Sequence, residues 1–533
     1  MSIPILPESA PFSAPQRAWL NGFFAGIFGL ENAPAAATAG GENSSAPVAG
    51  EDEEFPWHDP ALALDERLEM AQNKPFSRVL MAAMAQLDCG SCGYVCQTYA
   101  EAIASGADSD ISKCTPGGRE TKNKLKELLA NKPASTEPLP ATPKSPEKTS
   151  DEPLYSRENP FPAPILEVRA LTRKDSQKDV RFVSFGLKNS GLEYKVGDAL
   201  GIYPKNCGEL VEGVLEQLQA SGDEPVQTPE GRVVPARVAL ESAYVLNRPS
   251  EEFLEALSGL AARDDERARL LELAQFDAEN FLEGRDVWDV LGEFPSARPT
   301  KASHVGFLLS KLAPLRSRLY SISSSLKMHP DEVHLTVGVV RYGLGGSERL
   351  RKGVASTFLC ERCVAGDKVG VFVHPSHGFG VPQNADAPLI MVGPGTGIAP
   401  FRAFLEERAA TGASGKNWLF FGDQRRETDF LYREEIENYL QNGVLNKLDL
   451  AFSRDQSEKV YVQHKMLENG AQLYDWLENG GHFTVCGDAS RMAKDVDAAL
   501  HKIIETHGAK SPDAAREYVA NLSKTGRYGR DVY

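Results

Sequence analysis

The stretch "GPGTGIAPFRAF", residues 393–404, decides the fold. It follows the apolar run "PLIMVG", which begins at Pro388, and leads into a segment of helical spacing, so it reads as strand, glycine-rich turn and helix. Gly393, Gly395 and Gly397 carry no β-carbon, which lets backbone N–H groups approach a pyrophosphate, and the helix start adds partial positive charge. Working outward, the apolar runs "PLIMVG", "NWLFFG", "LDLAFS" and "HFTVCG" alternate with helical segments, the pattern of a doubly wound parallel sheet. Cys486, in "VCGD", falls at the C-terminal end of a predicted strand, where such sheets place their ligands.

Upstream of the sheet the periodicity changes. "RFVSFGL" and "LEYKVGDALGIY", separated by the turn-prone "KNSG", alternate like strands of an antiparallel barrel. Residues 207–310 turn helical before strand character resumes at "RLYSISSS" and "EVHLTVGVVRY", so the helices form an insertion in the barrel domain. Residues 131–153, rich in Pro, Ser, Thr and charge, read as a linker, and the Ala/Gly/Pro/acid-rich residues 31–60 as another. Trp19, Leu20, Phe23, Phe24, Ile27 and Phe28 make one apolar stripe, so residues 1–30 hold an amphipathic helix that needs a covering surface and offers a route to oligomers. The domains expected are therefore the helix at 1–30, a linker at 31–60, a four-cysteine module at 61–130, a linker at 131–153, the barrel at 154–380 and a nucleotide-binding domain at 381–533. The fold class is multidomain: an antiparallel β-barrel with a helical insertion, a doubly wound α/β domain, and a small α-helical module ahead of both.

A formal net charge of −16 argues against a nucleic-acid surface, which requires clustered Lys and Arg, and suits a basic protein partner better. No apolar run reaches the roughly 18–20 residues that span a bilayer, and only Arg17 is basic ahead of residues 19–30, which excludes an export signal and points to the cytoplasm. Four of the eight Cys fall within residues 89–114, which suggests a metal site in a reducing compartment rather than a disulfide framework.

"RLYS", "GVAS", "GPGTGIAPFRAF", "LDLAFSRDQSEKVYVQ", "VCGDASRMAKDV" and "RYGRDVY", in this order, resemble the ferredoxin-reductase-type half of the diflavin reductases, and within them the flavoprotein subunit of NADPH-dependent sulfite reductases. The resemblance covers residues 155–533. It implies that Arg318, Tyr320 and Ser321 meet FAD: the Arg as a fork on phosphate oxygen, the Tyr packed along the flavin, the Ser near its N5 edge. It implies further that Gly353, Val354, Ala355 and Ser356 contact the FAD pyrophosphate, with Thr336 and Val339 as strand residues beside the adenine. Gly395, Thr396 and Gly397 are implied at the NADPH pyrophosphate. Ser453, Arg454, Lys459, Tyr461 and Gln463, with Asp495, are implied around the adenosine and its 2′-phosphate. Cations and hydroxyls suit a phosphate dianion, whereas a free 2′-hydroxyl calls for a carboxylate, so NADPH is favoured over NADH. Ser321, Cys486 and Asp531 are the implied catalytic group at the nicotinamide, and Tyr533 the aromatic that stacks on the flavin and yields to that ring.

Where diflavin reductases carry an FMN-binding flavodoxin domain, this chain has Cys89, Cys92, Cys96 and Cys114, separated by two, three and seventeen residues. Four thiolates in so compact a segment can hold a 4Fe-4S cluster. The segment resembles the small iron–sulfur domain of corrinoid iron–sulfur proteins, with a second gap one residue shorter, and Gly90, Gly93, Gly117 and Gly118 would let backbone wrap the cluster. Zinc in a docking adaptor is the alternative, since four Cys satisfy tetrahedral zinc equally. Cys360 and Cys363 form a second CxxC that reads as core packing, and Cys207 carries no further signal. The function implied is hydride transfer from NADPH to FAD, then single electrons through the cluster to a haem protein, the sirohaem subunit that converts sulfite to sulfide; nitrite or nitrate reductase, a ferredoxin or another haem protein are the alternative acceptors.

Overall fold

The computed structural model describes residues 55, 57–58, 62–86, 94–114, 116–131, 154–376, 378–489 and 491–533. The expected helix at 1–30, most of the 31–60 linker, nearly all of the 131–153 linker, and Cys89 and Cys92 lie outside the described residues. Trp57, at the end of the first expected linker, is fully buried, with the Lys74 ammonium 5.9 Å from its ring centroid.

Six strands form the barrel: β1 (Phe161–Ala170), β2 (Val180–Gly186), β3 (Ala199–Ile202), β6 (Arg318–Ser321), β7 (Glu332–Gly338) and β10 (Lys368–His374), in the order β6-β3-β10-β1-β2-β7. All neighbours are antiparallel, and a bridge between Ile322 and Leu335 joins the two edge strands, which removes the open edges. The alternation in β2 has two destinations. Val183 and Phe185 fill the barrel with Leu200, Leu335 and Val371, whereas Val180 and Phe182 pack on the parallel-sheet domain with Met391 and Phe401. With both faces covered, "VRFVSFG" is almost wholly buried.

The second expected barrel strand is shorter than its pattern suggests: within "LEYKVGDALGIY" only the four residues of β3 pair. The Asp198 N–H donates to the Lys195 carbonyl at 3.0 Å, Gly197 takes φ +103°, and the Tyr194 hydroxyl lies 2.7 Å from Ser324 Oγ. The alternating side chains thus serve a turn and an inward anchor rather than a ladder.

Between β3 and β6 lie the inserted helices, from Gly208–Leu218 to Ala302–Leu309, around a core of their own, with the small hairpin β4 (Pro225–Gln227) and β5 (Val233–Pro235). A second hairpin, β8 (Arg341–Gly343) and β9 (Leu350–Lys352), leads into Gly353. The parallel sheet comprises β11 (Leu389–Val392), β12 (Asn417–Asp423), β13 (Lys447–Phe452), β14 (His482–Gly487) and β15 (Tyr528–Val532), in the order β13-β12-β11-β14-β15. Strand order reverses between β11 and β14, so the crevice for a ligand opens at their C-terminal ends. The glycine-rich turn and Cys486 stand there. Ahead of the barrel, the described four-cysteine module consists of helices Leu64–Met70, Phe76–Ala82, Cys96–Ser105 and Gly118–Ala130. Among the described residues no helix is long and apolar enough to cross a membrane.

Candidate functional site

Strand β6 places Ser321 against the end of β15. Ser321 Oγ donates to Asp531 Oδ2 at 2.5 Å, and Cys486 Sγ approaches the same oxygen at 3.5 Å. Cys486 and Asp531 are partners in the β14–β15 register, so backbone pairing presents thiol and carboxylate side by side. Burial and the adjacent Asp531 charge push the Cys486 thiol well above its ordinary pKa, so it stays protonated and donates. Burial likewise raises the Asp531 carboxyl, and the hydrogen bonds from Ser321 and Cys486 pull it partly back. The expected catalytic group is therefore brought together across the junction of barrel and sheet. Tyr533 continues from it: its N–H donates to the Gly487 carbonyl at 3.1 Å and its hydroxyl lies 2.9 Å from Thr396 Oγ1.

The residues expected at FAD fall in three places. Tyr320 and Ser321 are half-buried on β6, and Arg318 Nη1 donates to the Arg316 carbonyl at 2.9 Å. Gly353, Val354, Ala355 and Ser356 follow β9; the Gly353 N–H donates to the Val340 carbonyl at 2.9 Å and Ser356 Oγ accepts from the Val340 N–H at 3.1 Å. A β-carbon on Gly353 would come within 2.9 Å of the Val340 β-carbon, so this turn is shaped for glycine and its backbone fits close approach of a pyrophosphate. Thr336 is buried with its hydroxyl 2.7 Å from that of Tyr432, which ties barrel to sheet domain, and Val339 is half-buried with its N–H on the Asp179 carbonyl.

Sequence reading missed what holds this loop. Arg349 bonds both oxygens of Asp286 at 2.7 and 2.8 Å, and Arg349 and Arg351 share Asp289 at 2.7 and 2.6 Å. Asp286 and Arg351 are almost fully buried, and Asp286 caps the helix Val287–Glu293 of the insertion. Four charges thus clamp the strand immediately before Gly353 onto the inserted helices.

On the nucleotide side, Gly395 adopts φ +59° in the tight turn Gly395–Ile398, while a β-carbon on Gly397 would lie 2.1 Å from the Cys486 carbonyl. Among the described residues, only the Lys178 ammonium and an Asp423 oxygen lie near the open side of Gly395, each 3.7 Å from where a β-carbon would stand. That cradle, with a cation at its lip, fits a pyrophosphate. Ser453 is half-buried just beyond β13, Arg454 and Lys459 are exposed, and Tyr461 precedes the helix Val462–Glu468. The Arg454 guanidinium bonds Gln177, and Gln463 Nε2 donates to Asp495 Oδ2 at 3.1 Å. The exposed cations Arg454 and Lys459 have the charge that a 2′-phosphate requires. Lys178 and Gln177 were not singled out from sequence; they lie on the β1–β2 connection of the barrel, and Lys178 is 245 residues from Asp423.

Of the metal candidates, Cys96 opens the helix Cys96–Ser105 and Cys114 lies on the following loop; both are buried. The Tyr99 hydroxyl donates to the Asp110 carbonyl at 2.7 Å and accepts from the Lys113 N–H at 3.1 Å, which pins the approach to Cys114. A β-carbon on Gly117 would lie 3.0 Å from Cys114 Sγ, so backbone packs directly against the sulfur, and Gly118 takes φ +51°. Thiolate donors enclosed by close backbone fit an iron–sulfur cluster. Cys360 and Cys363 are buried in the barrel core, where burial pushes their thiols up to about 12 and about 11, so they are inert packing.

Three family models match the chain: "FAD binding domain" over residues 153–358, "Oxidoreductase NAD-binding domain" over 391–498 and "Putative Fe-S cluster" over 84–116. Among curated proteins, the sulfite reductase (NADPH) flavoprotein alpha-component of Bacillus subtilis (strain 168) is 43% identical over 432 residues, covering 81% of this chain and 70% of that protein. The protein of the same name from Aliivibrio fischeri (strain ATCC 700601 / ES114) is 42% identical, covering 80% and 69%. That from Vibrio cholerae serotype O1 (strain ATCC 39315 / El Tor Inaba N16961) is 45% identical over 379 residues, covering 71% and 60%. An FAD-binding barrel, an NAD(P)-binding sheet and an iron–sulfur segment on one chain, joined to identity of this extent, place it among NADPH-dependent flavoprotein oxidoreductases: the chain belongs to the sulfite reductase (NADPH) flavoprotein alpha-component family.

Proposed function

We propose that this chain oxidises NADPH and delivers the electrons singly to a haem protein, the sirohaem subunit that reduces sulfite to sulfide, with FAD and a 4Fe-4S cluster as its resident carriers. The observation that carries this reading is the meeting of Ser321 from the barrel with Cys486 and Asp531 from the parallel sheet, at one carboxylate oxygen. Bound FAD accepts an electron pair and releases it one electron at a time. Ser321, Cys486 and Asp531 hold the nicotinamide ring in register for transfer, and the Asp531 carboxylate favours the positive charge that the ring acquires. Tyr533 covers the same place and excludes water until the ring displaces it. Lys178 and the turn at Gly395, Thr396 and Gly397 take the pyrophosphate. Ser453, Arg454, Lys459, Tyr461 and Gln463 take the adenosine 2′-phosphate, with Asp495 orienting Gln463.

Cys89, Cys92, Cys96 and Cys114 supply the cluster thiolates, which a reducing, cytoplasmic compartment keeps available. The partner is a haem protein and neither nucleic acid nor membrane, and the apolar stripe at residues 19–30 serves assembly. Anaerobic titration of the purified chain with NADPH, followed optically and by electron paramagnetic resonance, tests the reading. Bleaching of flavin absorbance followed by a rhombic signal of a reduced cluster is expected. Zinc in place of iron would make the module a docking adaptor, and transfer to a nitrite reductase or ferredoxin but not to a sirohaem protein would change the acceptor.

A further inference from the structure

The loop between β1 and β2 is anchored on the nucleotide-binding domain: the Arg173 N–H donates to the Thr428 carbonyl at 2.9 Å, Ser176 Oγ bonds Asp429, and Gln177 bonds Arg454. From this loop Lys178 reaches Asp423, the last residue of β12, with Nζ 2.5 Å from Oδ1. The Asp423 side chain is fully enclosed. Its Oδ1 also accepts from the Gln424 N–H at 2.7 Å, but Oδ2 is buried with no hydrogen-bond partner among the described residues and lies 3.7 Å from the open side of Gly395. The charged groups that face it are Lys178 from the barrel loop and Asp429 from the short helix Arg426–Asp429; Arg454, beyond β13, turns its guanidinium to Gln177 instead. Asp429 is itself held by Ser176, the Arg425 N–H at 2.9 Å and Thr428 Oγ1 at 3.0 Å. Burial raises the Asp423 carboxyl above its ordinary range, Lys178 opposes that, and Asp429 adds to it.

We propose that Asp423 couples NADP(H) binding to proton uptake: the incoming pyrophosphate takes Lys178, and the abandoned Asp423 carboxyl binds one proton from solvent. This rests on reading residues 393–397 as the pyrophosphate turn. The chemistry leaves the carboxylate little choice. An enclosed carboxylate that loses its cation while a phosphate anion arrives beside Oδ2 neutralises, and the new O–H then donates toward the phosphate where the charged form would repel it. Binding therefore tightens as pH falls, by up to about tenfold per pH unit, between the carboxyl pKa of the free protein and its higher value in the complex.

Calorimetry of NADP+ binding to the FAD-loaded full chain, in buffers of different ionisation enthalpy between pH 6 and 8, measures the protons taken up. Asp423→Asn serves as the reference, because it keeps the shape and carries the titration of the ligand's own 2′-phosphate. The wild-type chain is expected to take up more protons than Asp423→Asn, approaching one extra per NADP+, and to lose affinity with rising pH more steeply. At pH 8 the variant should bind more tightly, by about tenfold for each pH unit that separates pH 8 from the carboxyl pKa of the free protein. Equal proton uptake in the two proteins, with Lys178→Ala still weakening NADP+, would mean that Lys178 bridges both anions, and it overturns the coupling while the turn assignment stands. If Lys178→Ala leaves NADP+ affinity unchanged, the pyrophosphate does not lie at this turn and both readings fall. Thermal melts of each variant establish that the fold is kept.

Discussion

Cys486 and Asp531 stand opposite one another on the parallel strands β14 and β15, with the thiol 3.5 Å from the carboxylate oxygen that Ser321 also bonds. One half-buried carboxyl thus ties the barrel to the sheet and, on the proposed function, faces the nicotinamide. Its burial makes the charged form costly, so it is retained at the expense of stability rather than for it.

Asp531→Asn should therefore separate stability from catalysis. The folded-state pKa is raised above the ordinary 3.8, so the carboxyl's contribution is most favourable below 3.8 and is lost as pH climbs to the raised value. The variant should melt at the same temperature as the parent near pH 4, or close to it, and no lower at pH 8. Its kcat/KM with NADPH should fall about a hundredfold, the size of losing one preorganised charge. A lower melting temperature at pH 8 with unchanged kcat/KM would overturn both halves.

Arg454→Ala should weaken NADPH far more than NADH. The guanidinium is exposed and among the described residues has only Gln177 to release, so it is available to a 2′-phosphate, and the lost charge-assisted contact is worth about 1.5–3 kcal/mol. Dissociation constants for the two nucleotides measure this; equal weakening removes Arg454 from the phosphate site.

Breaking the clamp ahead of Gly353 should release FAD. Burial pushes Asp289 up, but Arg351, the Asp286 N–H and Arg349 together hold it down to about 2. Its contribution is thus present above about 3.8 and lost as pH falls toward 2. Asp289→Ala leaves Arg351 buried without its carboxylate, at a cost of about 3–5 kcal/mol. FAD fluorescence should report a weaker complex at neutral pH, whereas NADP+ binding to the sheet domain persists. Full FAD retention would show that the loop keeps its shape without the clamp.

Cys92→Ser should remove iron and brown colour while NADPH oxidation by a small dye continues, since flavin chemistry sits on the barrel and sheet. Transfer to the haem partner should stop with it. Metal analysis and the two assays decide this. A variant that reduces the partner at the parent rate makes the cysteines structural, and one that loses FAD as well makes module and reductase a single cooperative unit.

Much of this protein is determined by short-range pattern. Glycines at 393, 395 and 397 between an apolar strand and a helix specify a tight glycine-rich turn, since that geometry depends only on neighbouring residues; the four apolar runs from Pro388 mark β11 to β14 by the same logic. The four-cysteine spacing is equally local. Tertiary structure alone decided three other matters. "YGRDV" has too few apolar residues to announce a strand, and becomes β15 because the exposed edge of β14 supplies its hydrogen bonds, which is what carries Asp531 to Cys486. "LEYKVGDALGIY" alternates like a strand, yet Tyr194 turns inward to Ser324 and only four residues pair, because a contact 130 residues away outweighs local propensity. Lys178 meets Asp423, and Asp286 meets Arg349, across 245 and 63 residues, and no local spacing encodes a charge pair whose two halves are brought together by packing of separate domains and insertions.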